Sequence, residues 1–167
     1  LYTEEKINIF VDVSIIDVLK KIEDTRLEDV IFFLMERTMR KARSATKVMF
    51  KQHGFGVTLE QWILLKRIYE ELETGISQVE LANTTFKEPA AVTRTLDILQ
   101  RKELIERLPN PDDRRAFLIQ LSDEGKTLVE RMTPLVQAMR KEAFAGLNDD
   151  EMNTLKKLIN SIYEQIE

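Results

Sequence analysis

Pro89-Ala90-Ala91-Val92-Thr93-Arg94-Thr95-Leu96-Asp97-Ile98-Leu99-Gln100-Arg101, followed directly by Lys102-Glu103-Leu104-Ile105-Glu106-Arg107, is the stretch whose reading decides the fold. Proline suits a first helical position because its missing N–H is one that a helix start leaves unbonded anyway. A helix is therefore expected from Pro89 to about Lys102. At about 100° per residue, Val92, Leu96 and Leu99 share one side as a buried seam. Ala90, Arg94, Asp97 and Arg101 fall on the opposite side, facing solvent. Taken alone, this is an ordinary amphipathic helix with a solvated charged face. Its neighbours in sequence argue for more.

Downstream, Leu104 to Leu108 and Phe117 to Leu121 read as two short strands, the second with Phe117, Ile119 and Leu121 alternating. The loop between them, Pro109-Asn110-Pro111-Asp112-Asp113-Arg114-Arg115, makes a β-hairpin with a long charged tip. Upstream, Ser77 with Glu80 opens a short helix carrying Val79, Leu81 and Ala82, and a break follows at Asn83 to Lys87. Short helix, turn, second helix and Arg-tipped hairpin is the element order of a winged helix-turn-helix. In that arrangement the second helix fits the major groove of B-DNA and the hairpin tip reaches phosphates or the minor groove.

Further out, Thr58 with Gln61 opens a helix running from Trp62 to about Leu72. Thr25 with Glu28 reads as a capping box for a long helix through Ile31, Leu34, Met35, Thr38, Met39, Ala42, Thr46 and Met49, ending near Gly54. Ser14 with Asp17 resembles a cap for a helix bearing Ile15, Val18, Leu19 and Ile22, while Lys6 to Val13 is open to both strand and helix readings. Ser122 begins a helix with Leu128, Met132, Leu135 and Met139 on one stripe, which Pro134 is expected to bend or divide. After Gly146, Asn148 or Asp149 caps a last helix with Met152, Leu155, Leu158, Ile159, Ile162 and Ile166. The expected fold is mostly α with a small β-hairpin wing. Residues 1–57 form an N-terminal segment and long helix, 58–121 the winged helix-turn-helix, and 122–167 the C-terminal helices. Apolar faces at both ends of the chain, flanking the central module, are explained by a two-fold homodimer, with monomeric bundling as the alternative.

Composition narrows the function classes. The 167 residues include no Cys and one His, which excludes disulfides, thiolate metal sites and cysteine nucleophiles and makes Ser-His-Asp catalysis and multi-His metal sites improbable. No metal site, cofactor or enzymatic activity is expected. The region Ile7 to Leu19 is interrupted by Asn8, Asp12, Ser14 and Asp17, so neither a membrane span nor a signal core is expected; the absence of cysteine is compatible with a reducing cytoplasm, and a cytoplasmic location is expected. Net charge is −4, yet it is unevenly placed. Four bases face eight acids through residue 30, whereas seven bases face six acids from Lys87 to Arg115. The middle is thus locally basic against an acidic background.

Arg94 points outward from the first half of its helix, where its planar fork suits guanine O6 and N7 or a phosphate. Ala90 permits close approach to a thymine methyl, and Thr93 and Thr95 on the flanks carry hydroxyls of the kind that bond phosphate. The candidate DNA-contacting set is Ser77, Pro89, Ala90, Thr93, Arg94, Thr95, Arg101, Arg107, Arg114 and Arg115. Asp112 and Asp113 are candidates for supporting the wing by pairing with Arg114, although a Pro-Asn-Pro-Asp-Asp tract is also simply a good turn.

Val92-Thr93-Arg94, Leu96, Leu99, Leu104-Ile105-Glu106-Arg107, Pro111-Asp112-Asp113-Arg114-Arg115 and Leu121-Ser122-Asp123-Glu124-Gly125 together resemble the MarR-family transcriptional regulators. Gln61-Trp62 and Leu81-Ala82 fit as well, so the resemblance covers roughly Thr58 to Val129 in detail. It implies a homodimeric repressor with intertwined terminal helices, the helix from Pro89 in the major groove, Arg114 in the minor groove, and release of DNA when a small, often phenolic or aromatic, ligand binds between the dimerisation helices and the winged domain. The chain departs from the family pattern at Glu103 and at Phe86, where Gly is frequent in the family.

Phe50, Phe55, Trp62, Tyr69 and Met132 are candidate linings of an aromatic ligand pocket, with a plain core role as the stronger alternative. His53, near the end of the long helix, is read as structural. A winged-helix interaction module that does not bind DNA is the rival function.

Overall fold

The computed structural model describes residues 26–111, 113 and 116–166. The Ser14 helix, Thr25, Asp112, Arg114 and Arg115 lie outside the described residues. The chain divides into two units at Ala45, inside the first long helix.

In the first unit, a 3-10 turn at Leu27–Asp29 precedes helix α1, Ile31–Gln52. The expected cap at Thr25 is therefore not where the long helix starts. Glu28 lies in the 3-10 turn, its carboxylate accepting a bond from the Arg26 guanidinium, and Val30 stands in extended geometry before α1 begins. Leu27, Ile31, Phe32 and Met39 are exposed.

The second unit carries the remaining elements. Helix α2, Leu59–Glu70, opens with a full capping box, Thr58 accepting from the Gln61 amide and Gln61 from the Thr58 amide. Strand β1, Ile76–Ser77, leads into helix α3, Gln78–Thr84, and helix α4 spans Pro89–Arg101 with its proline in the first turn. Strands β2, Ile105–Pro109, and β3, Phe117–Leu121, pair antiparallel, with Ile105 opposite Leu121 and Pro109 opposite Phe117. The two-residue β1 joins the other edge of β3, giving sheet order β1-β3-β2. Helix α5, Asp123–Ala143, is capped by Ser122 and continues unbroken through Pro134. Helix α6, Asp149–Glu164, is capped by Asn148 in a second full capping box.

One core serves this unit. Leu64, Leu65 and Ile68 of α2, Leu81 of α3, Val92, Leu96 and Leu99 of α4, Ile76, Ile105 and Ile119 of the sheet, and Val129 and Met132 of α5 are all buried within it. The predicted seam of α4 is thus the buried one. Phe117 departs from the expected alternation: Ile119 and Leu121 are buried, but Phe117 is 54% exposed because the hairpin has by then run past the core. Gly125, in the first turn of α5, is required by close approach, since a Cβ there would lie 2.0 Å from the Leu104 carbonyl oxygen. Helix α6 contains no buried residue.

Candidate nucleic-acid interface

The short helix α3 starts because Ser77 leaves strand β1 in extended geometry and its hydroxyl accepts from the Glu80 amide. This hydroxyl oxygen holds the cap, which leaves its proton for an outside acceptor. At the other end of α3 the Phe86 amide donates to Asn83 and the Lys87 amide to Ala82. This pair of bonds is the Schellman closure of a helix, and it turns the chain sharply into α4. The orientation of α3 against α2 is held by Arg67. Its guanidinium donates to Glu71 at 2.7 Å and to the Thr84 hydroxyl at 3.3 Å, with Glu80 at 3.9 Å.

Helix α4 presents its outward side as expected. Pro89, Ala90, Arg94 and Arg101 are exposed, while Val92, Leu96 and Leu99 have no accessible surface. Thr93 and Thr95 sit at the flanks and are half-buried. Both bond back along the helix, Thr93 to the Pro89 carbonyl at 3.0 Å and Thr95 to that of Ala91 at 2.8 Å. The Thr93 oxygen also accepts from Gln78 Nε2 at 2.8 Å, so it serves to join α3 to α4. Gln78 was not legible as a site residue. An amide side chain following a cap serine has many ordinary roles, and only the packing of two helices gives it this one.

Arg107 occupies a different place from the other candidates. From β2 it reaches across to α4, donating to Asp97 Oδ1 at 2.6 Å and to Gln100 Oε1 at 2.8 Å, with its side chain about three-quarters buried. The fork clamps the root of the wing to the second helix of the pair. It also engages Asp97, the one acid on the outward side of α4. Arg94 and Arg101 then stand as cations with no ion pair to any described residue. At the hairpin's end the ladder extends by a bond from the Asn110 amide to Ala116, and the Ala116 amide donates to the Asp113 carbonyl. Asp113 is exposed.

All five candidate pocket residues pack in or against the core. Phe50, Trp62 and Met132 are buried in the core and Tyr69 packs against it, its hydroxyl 3.4 Å from Glu130. Phe50 meets Trp62 edge-on at 6.4 Å between centroids. Phe55 also lies in the core, but it borders a cleft of about 580 Å³ lined by Val57, Lys102, Leu104, Leu128 and Arg131 among others. His53 stacks on Phe55 at 5.6 Å, and its Nδ1 lies 2.9 Å from the Met49 carbonyl, which fits the structural role read for it. Among the described residues no group of His, Asp and Glu could hold a metal ion. No described helix is long and apolar enough to cross a membrane.

Comparison with known proteins gives the geometry a context. Residues 57–117 match the model of the MarR family. A Bacillus subtilis (strain 168) protein described as an uncharacterised HTH-type transcriptional regulator, YhbI, is 34% identical over 108 residues, or 65% of this chain and 69% of that one. Among solved structures, a mutant MarR from E. coli complexed with operator DNA is 29% identical with a TM-score of 0.65, covering 77% of this chain and 92% of that one. CouR from Rhodococcus jostii RHA1, bound to p-coumaroyl-CoA, is 26% identical with a TM-score of 0.75, covering 86% of this chain and 98% of that one.

Proposed function

We propose, from the premise that this chain belongs to the MarR family, that it is a transcriptional regulator that binds a pseudo-palindromic operator as a homodimer. The observation that carries this reading is the outward side of α4. Its acid is held by Arg107, while Arg94 and Arg101 face solvent without a described ion partner. A helix start with Pro89 and Ala90 on its surface lets the backbone approach base edges closely, and Arg94 follows one turn later at the depth where a fork reads guanine.

Ser77, Thr93, Thr95, Arg101 and the wing arginines Arg114 and Arg115 supply phosphate or minor-groove contacts in this proposal, with Asp112 and Asp113 shaping the tip. Arg107 acts through the wing's position. Segments 1–57 and 122–167 pair the two copies, covering Ile31, Phe32 and Met39 at one end of the chain and Leu158, Ile159 and Ile162 at the other. Pairing sets the two recognition helices about one DNA turn, roughly 34 Å, apart. A small aromatic ligand that favours a different spacing then releases DNA. Of the five residues read for that ligand, Phe55 borders the cleft beside Val57 and Leu104. The regulator works in the cytoplasm, where its operator is.

Selection of bound fragments from genomic DNA, followed by titration of the selected site with Arg114→Ala, tests the reading. The variant is expected to weaken binding at every sequence and to lower the salt slope by about 1. Wild-type binding by Arg114→Ala would remove the wing from the interface. Absence of any DNA binding at low salt, with a folded dimer, would favour the interaction module.

A further inference from the structure

Three of the described helices end in the same way. After α1 the Gly54 and Phe55 amides donate to Lys51 and Phe50, after α3 those of Phe86 and Lys87 donate to Asn83 and Ala82, and after α4 those of Glu103 and Leu104 donate to Gln100 and Leu99. In each case the residue one past the cap has positive φ: +64° at Gly54, +53° at Phe86 and +59° at Glu103. Glycine fills this slot by preference, because a Cβ in the left-handed region crowds its own carbonyl. A side chain retained there calls for a reason. Phe86 is the harder case, since its ring is 78% exposed and adds nothing to the core.

Among the described residues the ring has one aromatic partner. It meets the ring of Tyr163 on α6 at 5.7 Å between centroids and 70° between planes, the edge-to-face arrangement that aromatic pairs favour. Tyr163 is itself 61% exposed, on a helix with no buried residue. The contact therefore joins the turn that aims α4 to the helix whose apolar side awaits a second copy. We infer that Phe86 is a positioning residue, coupling the state of α6 to the aim of α4 through its ring contact with Tyr163. This rests on the DNA-binding reading for its consequence, though the coupling itself is a property of the protein alone. A change in how α6 pairs would shift Tyr163, and with it the turn that Lys87 and Ala82 close.

The test is a cycle of Phe86→Gly, Tyr163→Ala and the double variant, with Phe86→Tyr as the conservative control. Phe86→Gly relieves the left-handed strain but loses the ring contact and adds freedom to the unfolded chain, so its melting temperature is expected to change little while its DNA affinity falls about three- to tenfold, the range of an aromatic pair. A loss of affinity without a loss of stability is what a merely structural role does not produce. Tyr163→Ala is expected to lower affinity by a similar factor, the double variant to be no worse than the weaker single, and Phe86→Tyr to bind like wild type. Additive losses in the double variant would mean that Phe86 meets DNA directly, and wild-type affinity of Phe86→Gly would overturn the inference outright. Amide exchange at Lys87 provides a readout without DNA. It is expected to quicken in Tyr163→Ala, and an unchanged rate would refute the coupling even if the protein bound no DNA at all.

Discussion

Replacing Glu103 by glycine is expected to stabilise this protein. Glu103 sits at φ +59° between α4 and the wing, a conformation that disfavours an L-residue by about 1–2 kcal/mol. Everything the turn contributes comes from its backbone. The Glu103 amide donates to Gln100 at 2.9 Å, the Leu104 amide to Leu99 at 3.0 Å, and the Glu103 carbonyl accepts from the Ser122 hydroxyl at 2.6 Å. Its side chain is exposed, so its removal opens no cavity. Against the relief stands glycine's larger loss of freedom on folding, about 0.5–1 kcal/mol. The balance is about 0–1.5 kcal/mol in favour of Glu103→Gly, centred near 0.75, or a rise of up to roughly 6 °C in Tm for a chain of this size. Thermal unfolding followed by far-ultraviolet circular dichroism, at one fixed protein concentration because pairing shifts Tm, measures it. Glu103→Ala keeps the Cβ and is expected to change little. A fall in stability for the glycine variant, or an equal gain for the alanine variant, would refute the argument from backbone strain.

Gly125→Ala is expected to lose at least about 3 kcal/mol, because its Cβ meets a backbone oxygen that cannot swing aside; a wild-type melting curve would contradict the packing of α5 against the start of β2. Trp62→Ala, which empties a site 3% exposed at the centre of the core, is expected to cost about 3–5 kcal/mol in chemical denaturation, and a loss under 1 kcal/mol would place Trp62 outside the core. The Arg107–Asp97 pair is partly exposed, so a double-mutant cycle in stability is expected to give a coupling of only about 0.5–1 kcal/mol. DNA affinity, by contrast, is expected to fall with Arg107→Ala and not to be restored by Arg107→Lys, since an ammonium cannot span Asp97 and Gln100 together. Full rescue by lysine would mean that Arg107 acts through its charge alone.

Much of this architecture was legible because it rests on local chemistry. The caps at Thr58, Ser77, Ser122 and Asn148, the proline at the start of α4 and the seam of Val92, Leu96 and Leu99 are each set within a few residues of sequence. Strand β1 was not legible, since Ile76 and Ser77 become a strand only through their pairing with Ile119 and Leu118. The 3-10 turn at Leu27–Asp29, which delays the long helix to Ile31, is not revealed by the capping motif alone.

At the site, the outward position of Arg94 followed from periodicity, whereas the engagement of Arg107 did not. Reading Arg107 as a DNA contact treated it as a surface base. Its bonds to Asp97 and Gln100 span different elements, and such partners appear only once β2 is folded against α4. The same holds for Gln78 and Thr93. Family likeness pointed to Phe86 and Glu103 as departures, and their positive φ values supply the physical reason that glycine is frequent at those places.

The central claim is that the outward side of α4 meets DNA, and the titration of Arg94→Ala against wild type tests it most directly. Fluorescence anisotropy with DNA from upstream of the protein's own gene, or with a site recovered by genomic selection, is measured at two salt concentrations. Wild type is expected to bind tightly and to weaken with salt. Arg94→Ala is expected to bind at least about tenfold more weakly, with relaxed preference at one base pair if the guanidinium reads guanine. Equal affinity of variant and wild type, on a site that wild type binds specifically, would contradict the account.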